Sequence, residues 1–248
     1  GPDDLRFIFV DPKRVELTAY SGIPHLLSPV ITDAKKTILA LKWCAGEMDR
    51  RYGLLQNAGA RDVHSYQVTD EAKEMPMPYI VIIIDELADI MTTYPRELEA
   101  SIVRLAQMSR AVGIHLIVST QRPSVEVITG LINANITSRM AFQVASQIDS
   151  RTILDMSGAE ALLGNGDMLF LAGDSGKPRR IQGAFVREEE VRKVAGYMEN
   201  AYADYISQES AAFKSSGDDS AEKRTIFDEA ASREETEQDD ELYDEAHR

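Results

Sequence analysis

Two adjacent carboxylates, Asp85 and Glu86, directly follow the unbroken aliphatic run Ile80-Val81-Ile82-Ile83-Ile84. Five β-branched residues without alternation read as a strand covered on both faces, as in a parallel sheet. Carboxylates are costly to bury without partners, whereas the carboxyl end of a parallel strand opens onto a crevice where α/β folds place ligands. At that point Asp85 can hold a hydrated Mg²⁺ and Glu86 can orient an attacking water. Hydrolysis of a nucleoside triphosphate needs both parts. The plainer alternative is a strand-end acid that caps the next helix, with glutamate as ordinary first-turn charge.

Further groups could complete such a site. Thr120 and Gln121 lie just past the apolar stretch Ile114-His115-Leu116-Ile117-Val118. If that strand neighbours the Ile80 strand, Gln121 can reach the same crevice and sense a γ-phosphate; otherwise it satisfies backbone at a strand end. Arg110 ends an amphipathic helix. It suits a trans-acting arginine that reaches a neighbouring subunit's phosphates, and equally a favourable charge at a helix C-terminus. Arg122 and Arg151 are expected in turns, where they suit contact with a nucleic-acid backbone or simple solvation. His25 and His115 stand alone among apolar neighbours and read as packed histidines.

The phosphate cradle is missing. A G-x-x-x-x-G-K-[ST] loop wraps phosphates with backbone N–H groups before a helix. The nearest approach, Leu171-Ala172-Gly173-Asp174-Ser175-Gly176-Lys177-Pro178, lacks the first glycine, has Pro178 in place of the hydroxyl and falls in an expected hairpin. The chain therefore carries half of an ATPase site and is expected to bind ATP weakly or not at all by itself.

The elements that must position these groups follow from periodicity. Leu5 to Val10 reads as a strand halted by Asp11-Pro12. Asp33 to Ala58 has helical spacing, with Asp33 as N-cap and Gly59 as stop. Arg61 to Pro78 is a polar connection before the Ile80 strand. Arg96 to Val112 is an amphipathic helix stopped by Gly113, and Ile114 to Ser119 a second buried-type strand. Thr137 to Val144 reads as a third strand, and Met168 to Leu171 with Arg180 to Val186 as a hairpin. Glu188 to Phe213 is expected to be helical. Strands alternating with helices indicate an α/β fold, a mostly parallel three-layer sheet with an antiparallel edge hairpin.

The 248 residues carry a formal net charge of −14, with 44% hydrophobic residues and one cysteine, Cys44. An internal disulfide is excluded, and a reducing compartment fits. No apolar run is long enough to span a bilayer. From Ser207 onward there are 5 Lys and Arg against 14 Asp and Glu, leaving 22 against 27 for residues 1–206. The charge mostly reports an acidic tail and does not exclude a local basic stripe. Residues 207–240 read as an acidic disordered linker, and a new apolar periodicity begins at 241–248. The chain opens on Gly1 rather than Met and is expected to be a piece of a longer protein.

The segments DPKRVEL, GIPHLLSPVITD, WCAGEMDRRY, PYIVIIIDELADIM, RLAQMSRAVGIHLIVSTQRPSVEVITGLINANITSR, DSRTILDMSGAEALLGNGDMLF and RIQGAFV closely resemble the motor domain of the FtsK/SpoIIIE DNA translocases, in order, over about residues 5–200. The resemblance implies a RecA-like P-loop ATPase core over residues 1–206, using ATP and Mg²⁺ in a homo-hexameric ring that pumps double-stranded DNA in chromosome segregation and cell division. It implies that Asp85 and Glu86 are the Walker B acid pair, Arg110 the trans arginine, Gln121 the polar sensor, and Arg122 and Arg151 members of DNA-facing loops. It also implies a Walker A element upstream of Gly1, a membrane-anchoring region further upstream in the bacterial inner membrane with the motor in the cytoplasm, and a winged-helix domain starting at 241–248. Asn133 and Gln147 depart from the lysines that some members carry there.

Two other readings remain. Related secretion ATPases share the fold and move protein. A chain without a phosphate cradle could also be a non-enzymatic interaction module. DNA-stimulated hydrolysis, peptide-stimulated hydrolysis, and a longer chain with no GK[ST] loop distinguish the three.

Overall fold

The computed structural model describes residues 1–205 and Phe227. β1 (Leu5–Val10) leads through a loop to α1 (Ala34–Asn57), where the Asp33 carboxylate caps the Lys36 N–H at 3.0 Å. The polar connection contains two single-turn helices, α2 (Val63–Tyr66) and α3 (Glu71–Glu74). β2 (Tyr79–Ile84), α4 (Leu87–Met91), α5 (Pro95–Met108) and β3 (Ile114–Val118) follow. The predicted 96–112 helix is thus α-helical to Met108 and tightens into a 3₁₀ turn over Ser109–Val112, released by Gly113 at φ 73°. That left-handed conformation suits glycine. The chain continues through α6 (Gly130–Asn135), β4 (Arg139–Ala141), α7 (Gln147–Leu154), β5 (Asp167–Leu171), β6 (Arg179–Gln182) and α8 (Glu188–Ala201).

The α/β class and the hairpin are as expected, but among the described residues the strands form two sheets. One is all parallel, β1-β2-β3, and the other antiparallel, β4-β5-β6. The register of β2 sets Ile84 beside both Val10 and Val118, which aligns the carboxyl ends of all three parallel strands. The outer edge of β1 is closed by residues 25–31, with Leu27 and Ile31 donating to the Phe7 and Phe9 carbonyls at 2.9 and 2.8 Å.

The Ile80 strand is not equally covered on both faces. Ile80, Ile82 and Ile84 are fully buried, while Val81 and Ile83 are half-buried. The first set joins Leu41, Met48, Leu98, Ile102 and Leu105 of α1 and α5 in the main core, whereas Ile83 meets only a small cluster around Phe9, Ile23 and Ala195. Two long helices on one face and a thinner cover on the other account for the alternation.

The expected linker at 207–240 and the new periodicity at 241–248 lie outside the described residues, Phe227 excepted. Phe227 is helical and buried, its ring edge-on to Trp43 of α1 at 5.6 Å between centroids. At that residue the chain is packed rather than a solvated linker, because an aromatic ring gains more from burial on α1 than its acidic neighbours forbid. Among the described residues no helix is long and apolar enough to cross a membrane.

Candidate active site

The parallel register brings Asp11, Asp85 and Glu86, and Thr120 and Gln121 together at the ends of β1, β2 and β3. The ladder continues one step past each strand, since Asp85 donates its N–H to the Val10 carbonyl at 3.0 Å and Ser119 donates to the Ile84 carbonyl at 2.9 Å. These links hold the acid pair rigidly on the sheet.

Asp85 is half-buried, and its Oδ2 is buried with no hydrogen-bond partner among the described residues. Burial pushes its carboxyl pKa up, and the negative charges of Asp11, Glu16 and Glu86 push it further, against the opposing Lys13 ammonium. Asp11, fully buried, accepts from the Leu17 N–H at 3.0 Å through Oδ2, while its Oδ1 is a second orphaned oxygen. A buried acceptor left unpaired costs about 1–3 kcal/mol. An orphaned oxygen on Asp85 is the kind of group that a metal-bound water would satisfy. Among the described residues no three His, Cys, Asp or Glu are arranged to hold a metal, and Mg²⁺ commonly takes only one or two protein carboxylates beside waters and substrate phosphates. The residues fit a hydrated Mg²⁺ held through Asp85.

Glu86 is fully buried and fully engaged. Oε1 accepts from the Thr120 hydroxyl at 2.5 Å and the Ala88 N–H at 3.2 Å. Oε2 accepts from the Gln121 N–H at 3.1 Å and from Lys13 Nζ at 3.4 Å. Burial pushes its pKa up, but the Thr120 hydroxyl, the two backbone N–H groups and Lys13 together outweigh it and hold the carboxyl below the ordinary glutamate range. Glu86 is also the N-cap of the five-residue α4. The plainer alternative raised by the sequence is therefore present in the geometry.

The other expected site residues divide. Gln121 meets Glu86 through its backbone, its side chain being exposed. Arg122 is in the irregular segment after β3, one residue past the bend at Gln121, with its guanidinium 3.4 Å from Asp89 of α4. Arg151 is not in a turn: it is exposed on α7, which Ser146 and Asp149 open with a reciprocal capping box. Eight residues are too few for an apolar period to reveal, although Ser146-x-x-Asp149 was the available signal. Arg110 is exposed in the 3₁₀ turn before β3, away from the acids, beside an open cavity of about 600 Å³ also lined by Tyr52, Tyr79 and His115. His115 is exposed there rather than packed as expected, because it lies on the outward face of β3, and it stacks on Tyr79 at 6.0 Å; His25 is buried, and partial desolvation lowers the pKa of both. Asn133 bonds Asp155 at 3.1 Å, and Gly173 and Gly176 fall in the β5–β6 connection rather than before a helix. Sequence reasoning missed Asp11 and Lys13, although Asp11, like Asp85, is an acid directly after a mostly apolar strand.

The parallel sheet with acids at the carboxyl end of its central strand, beside an antiparallel sheet, is the α/β fold of P-loop ATPase motor domains, as comparison with solved structures shows. The chain resembles the solved conjugation coupling protein TcpA of pCW3, determined with ATPγS, with a TM-score of 0.70 and 25% identity over 81% of this chain and 57% of that one. It also has the fold of the type VII secretion ATPase EccC of Thermomonospora curvata (TM-score 0.61, 21% identity, 79% of this chain and 24% of that one).

A profile of the FtsK/SpoIIIE family matches residues 1–125, and the chain belongs to that family. It is 55% identical over 208 residues to the DNA translocase FtsK of Caldanaerobacter subterraneus, covering 84% of this chain and 29% of that protein. It is 49% identical over 252 residues to the DNA translocase SpoIIIE of Bacillus subtilis, covering 99% of this chain and 30% of that protein. The chain spans under a third of the length of these relatives.

Proposed function

We propose that these residues form part of an ATP-driven motor that moves double-stranded DNA during chromosome segregation and cell division. The observation that carries the reading is the acid pair at the end of β2, with Asp85 Oδ2 unpartnered and Glu86 contacted from β3 by Thr120 and Gln121. The names of the relatives supply the DNA substrate, and their secretion counterpart EccC is alike in fold alone.

In this reading Asp85 anchors the metal's water shell, and Mg²⁺ when bound would neutralise charge on the phosphates. Glu86 orients the attacking water. Gln121, whose own backbone N–H bonds Glu86, reports the state of the γ-phosphate to the exposed Arg122 beside it. Arg110 acts on a neighbouring copy's nucleotide in a ring of six. Arg122 and Arg151 meet the DNA backbone, which carries affinity without sequence information. The motor works on the cytoplasmic side of the bacterial membrane, tethered through a region outside these residues.

The test is Glu86→Gln in the complete protein. Nucleotide binding is retained, and DNA-stimulated hydrolysis falls by about a hundredfold or more, the scale of a lost catalytic base. Hydrolysis at the wild-type rate would remove Glu86 from the mechanism.

A further inference from the structure

The Glu86 carboxylate, as described, has no lone pair to offer. Two carboxylate oxygens provide about four acceptor sites, and four donors occupy them: Thr120, Ala88, Gln121 and Lys13. With Glu86 fully buried, no direction remains from which a water could be polarised. A general base must lie within hydrogen-bond reach of the proton it attracts. One donor has to leave before Glu86 can work.

The four donors are not equally removable. The Ala88 and Gln121 N–H groups are backbone, fixed by α4 and by the end of β3. Thr120 is held from its other side, where its hydroxyl accepts the Arg122 N–H at 3.0 Å. Lys13 makes the longest contact, 3.4 Å, and its side chain is 35% exposed on the turn after β1. No second hydrogen bond or ion pair joins it among the described residues. It is also a cation on a flexible stem beside strand ends where the proposed substrate is strongly anionic, the group most readily drawn away.

We infer that Lys13 is a positioning residue that holds Glu86 in a resting geometry and releases it when a triphosphate enters the crevice. The inference rests on the reading of Glu86 as the hydrolytic base. It adds a coupling: the charge that identifies the substrate is the charge that frees the base. Without nucleotide, Lys13 keeps Oε2 occupied. With nucleotide, the ammonium moves to phosphate oxygens and Oε2 turns to water. No covalent step involves Lys13.

The experiment uses the complete protein with Lys13→Met, which keeps the apolar stem and removes the charge, and Lys13→Arg, which keeps the charge. An ion pair with one partner partly exposed is worth about 1 kcal/mol or less, so DNA-free kcat is expected to rise about three- to fivefold in Lys13→Met. ATP affinity, measured by equilibrium binding in a Glu86→Gln background, is expected to fall about threefold, because the cation no longer meets the phosphates. Lys13→Arg restores both toward wild type. A DNA-free kcat that stays level or drops in a Lys13→Met protein of wild-type melting temperature overturns the inference. If Lys13→Met does not fold, Lys13→Gln reads the same quantities. The two readings fail separately: an inactive Glu86→Gln with an unchanged Lys13→Met removes only the restraint, whereas an active Glu86→Gln removes the catalytic reading itself.

Discussion

Arg110 and Glu86 stand at opposite ends of one parallel sheet. Arg110 sits in the turn that enters β3, and Glu86 is the second residue past β2, with the two strands in register from Ile80 beside Ile114 to Ile84 beside Val118. Five rows at about 3.3 Å per residue separate the two ends by roughly 15 Å, more than a guanidinium can bridge. The turn is firmly held: Arg51, itself 1% exposed, donates to the Val112 carbonyl at 2.8 Å, and Tyr52 donates to the Met108 carbonyl at 2.7 Å. Arg110 therefore cannot serve phosphates bound beside its own Glu86.

Mixing two defective proteins tests whether it serves a neighbour's. If the proposed ring forms, Arg110→Ala and Glu86→Gln versions of the complete protein are each expected to be inactive. Random co-assembly at equal amounts pairs an intact Glu86 with an intact Arg110 at about a quarter of interfaces in a head-to-tail ring. Recovery of hydrolysis on that order, read by phosphate release against mixing ratio, is the expected outcome. No recovery at any ratio makes Arg110 structural.

The parts of the fold that could be read in the sequence are those whose cause is local. The helix over 34–57 shows because Asp33 caps it and its apolar spacing runs for six turns. The end of the 95–108 helix shows because Gly113 must follow. The helices α2, α4 and α7 are invisible to periodicity, since four to eight residues cannot establish a 3.6-residue period, and only their capping residues mark them. The site was half legible for a different reason. Asp85 and Glu86 are flagged by their position on the strand. That Asp11 and Lys13 lie beside them depends on β1 pairing with a strand some 70 residues later, and register across such a distance is set by packing rather than by neighbouring residues.

Asp167 gives the antiparallel sheet an acid-sensitive lock. Its carboxylate accepts from Arg180 Nε and Nη2 at 2.9 and 2.7 Å and from the Leu163 N–H at 2.8 Å. The Arg180 bonds, with the Leu163 N–H, lower its pKa from 3.8 to about 2. A carboxyl whose pKa is depressed by folding stabilises the fold above its unfolded value and loses that contribution as pH falls through the folded one. Wild type should therefore lose more stability between pH 4 and 2 than Asp167→Asn, which has no such group to protonate. Urea midpoints across that range, with parallel slopes for the two proteins, would dismiss the lock.

Phe227 can be watched directly, because Trp43 is the one tryptophan in the chain. Phe227→Ala removes the ring that faces the indole and admits water there. A red-shifted tryptophan emission is expected, with a stability loss below the about 3–5 kcal/mol typical of truncating a core phenylalanine, since β1–β3, α1 and α5 keep their own contacts. Emission identical to wild type would place Phe227 away from Trp43 in solution.

Arg122 and Arg151 separate backbone contact from mere surface charge through salt. Arg151 is exposed on α7 and Arg122 is exposed after β3 with Asp89 as its partner. If each neutralises one phosphate, substitution by alanine in the complete protein should reduce the slope of log K against log salt by about 0.9. It should also weaken every DNA sequence alike. The two variants should differ in size. Arg151→Ala removes a cation whose charge reaches Glu160 without a contact ion pair among the described residues, whereas Arg122→Ala leaves Asp89 without the guanidinium 3.4 Å away, so a closer unbalanced carboxylate faces the same DNA. Arg122→Ala is thus expected to lose more affinity, and Asp89→Asn in that background should return part of it. Binding isotherms on one duplex at four salt concentrations decide the matter: a slope unchanged by Arg151→Ala would take α7 out of the DNA path.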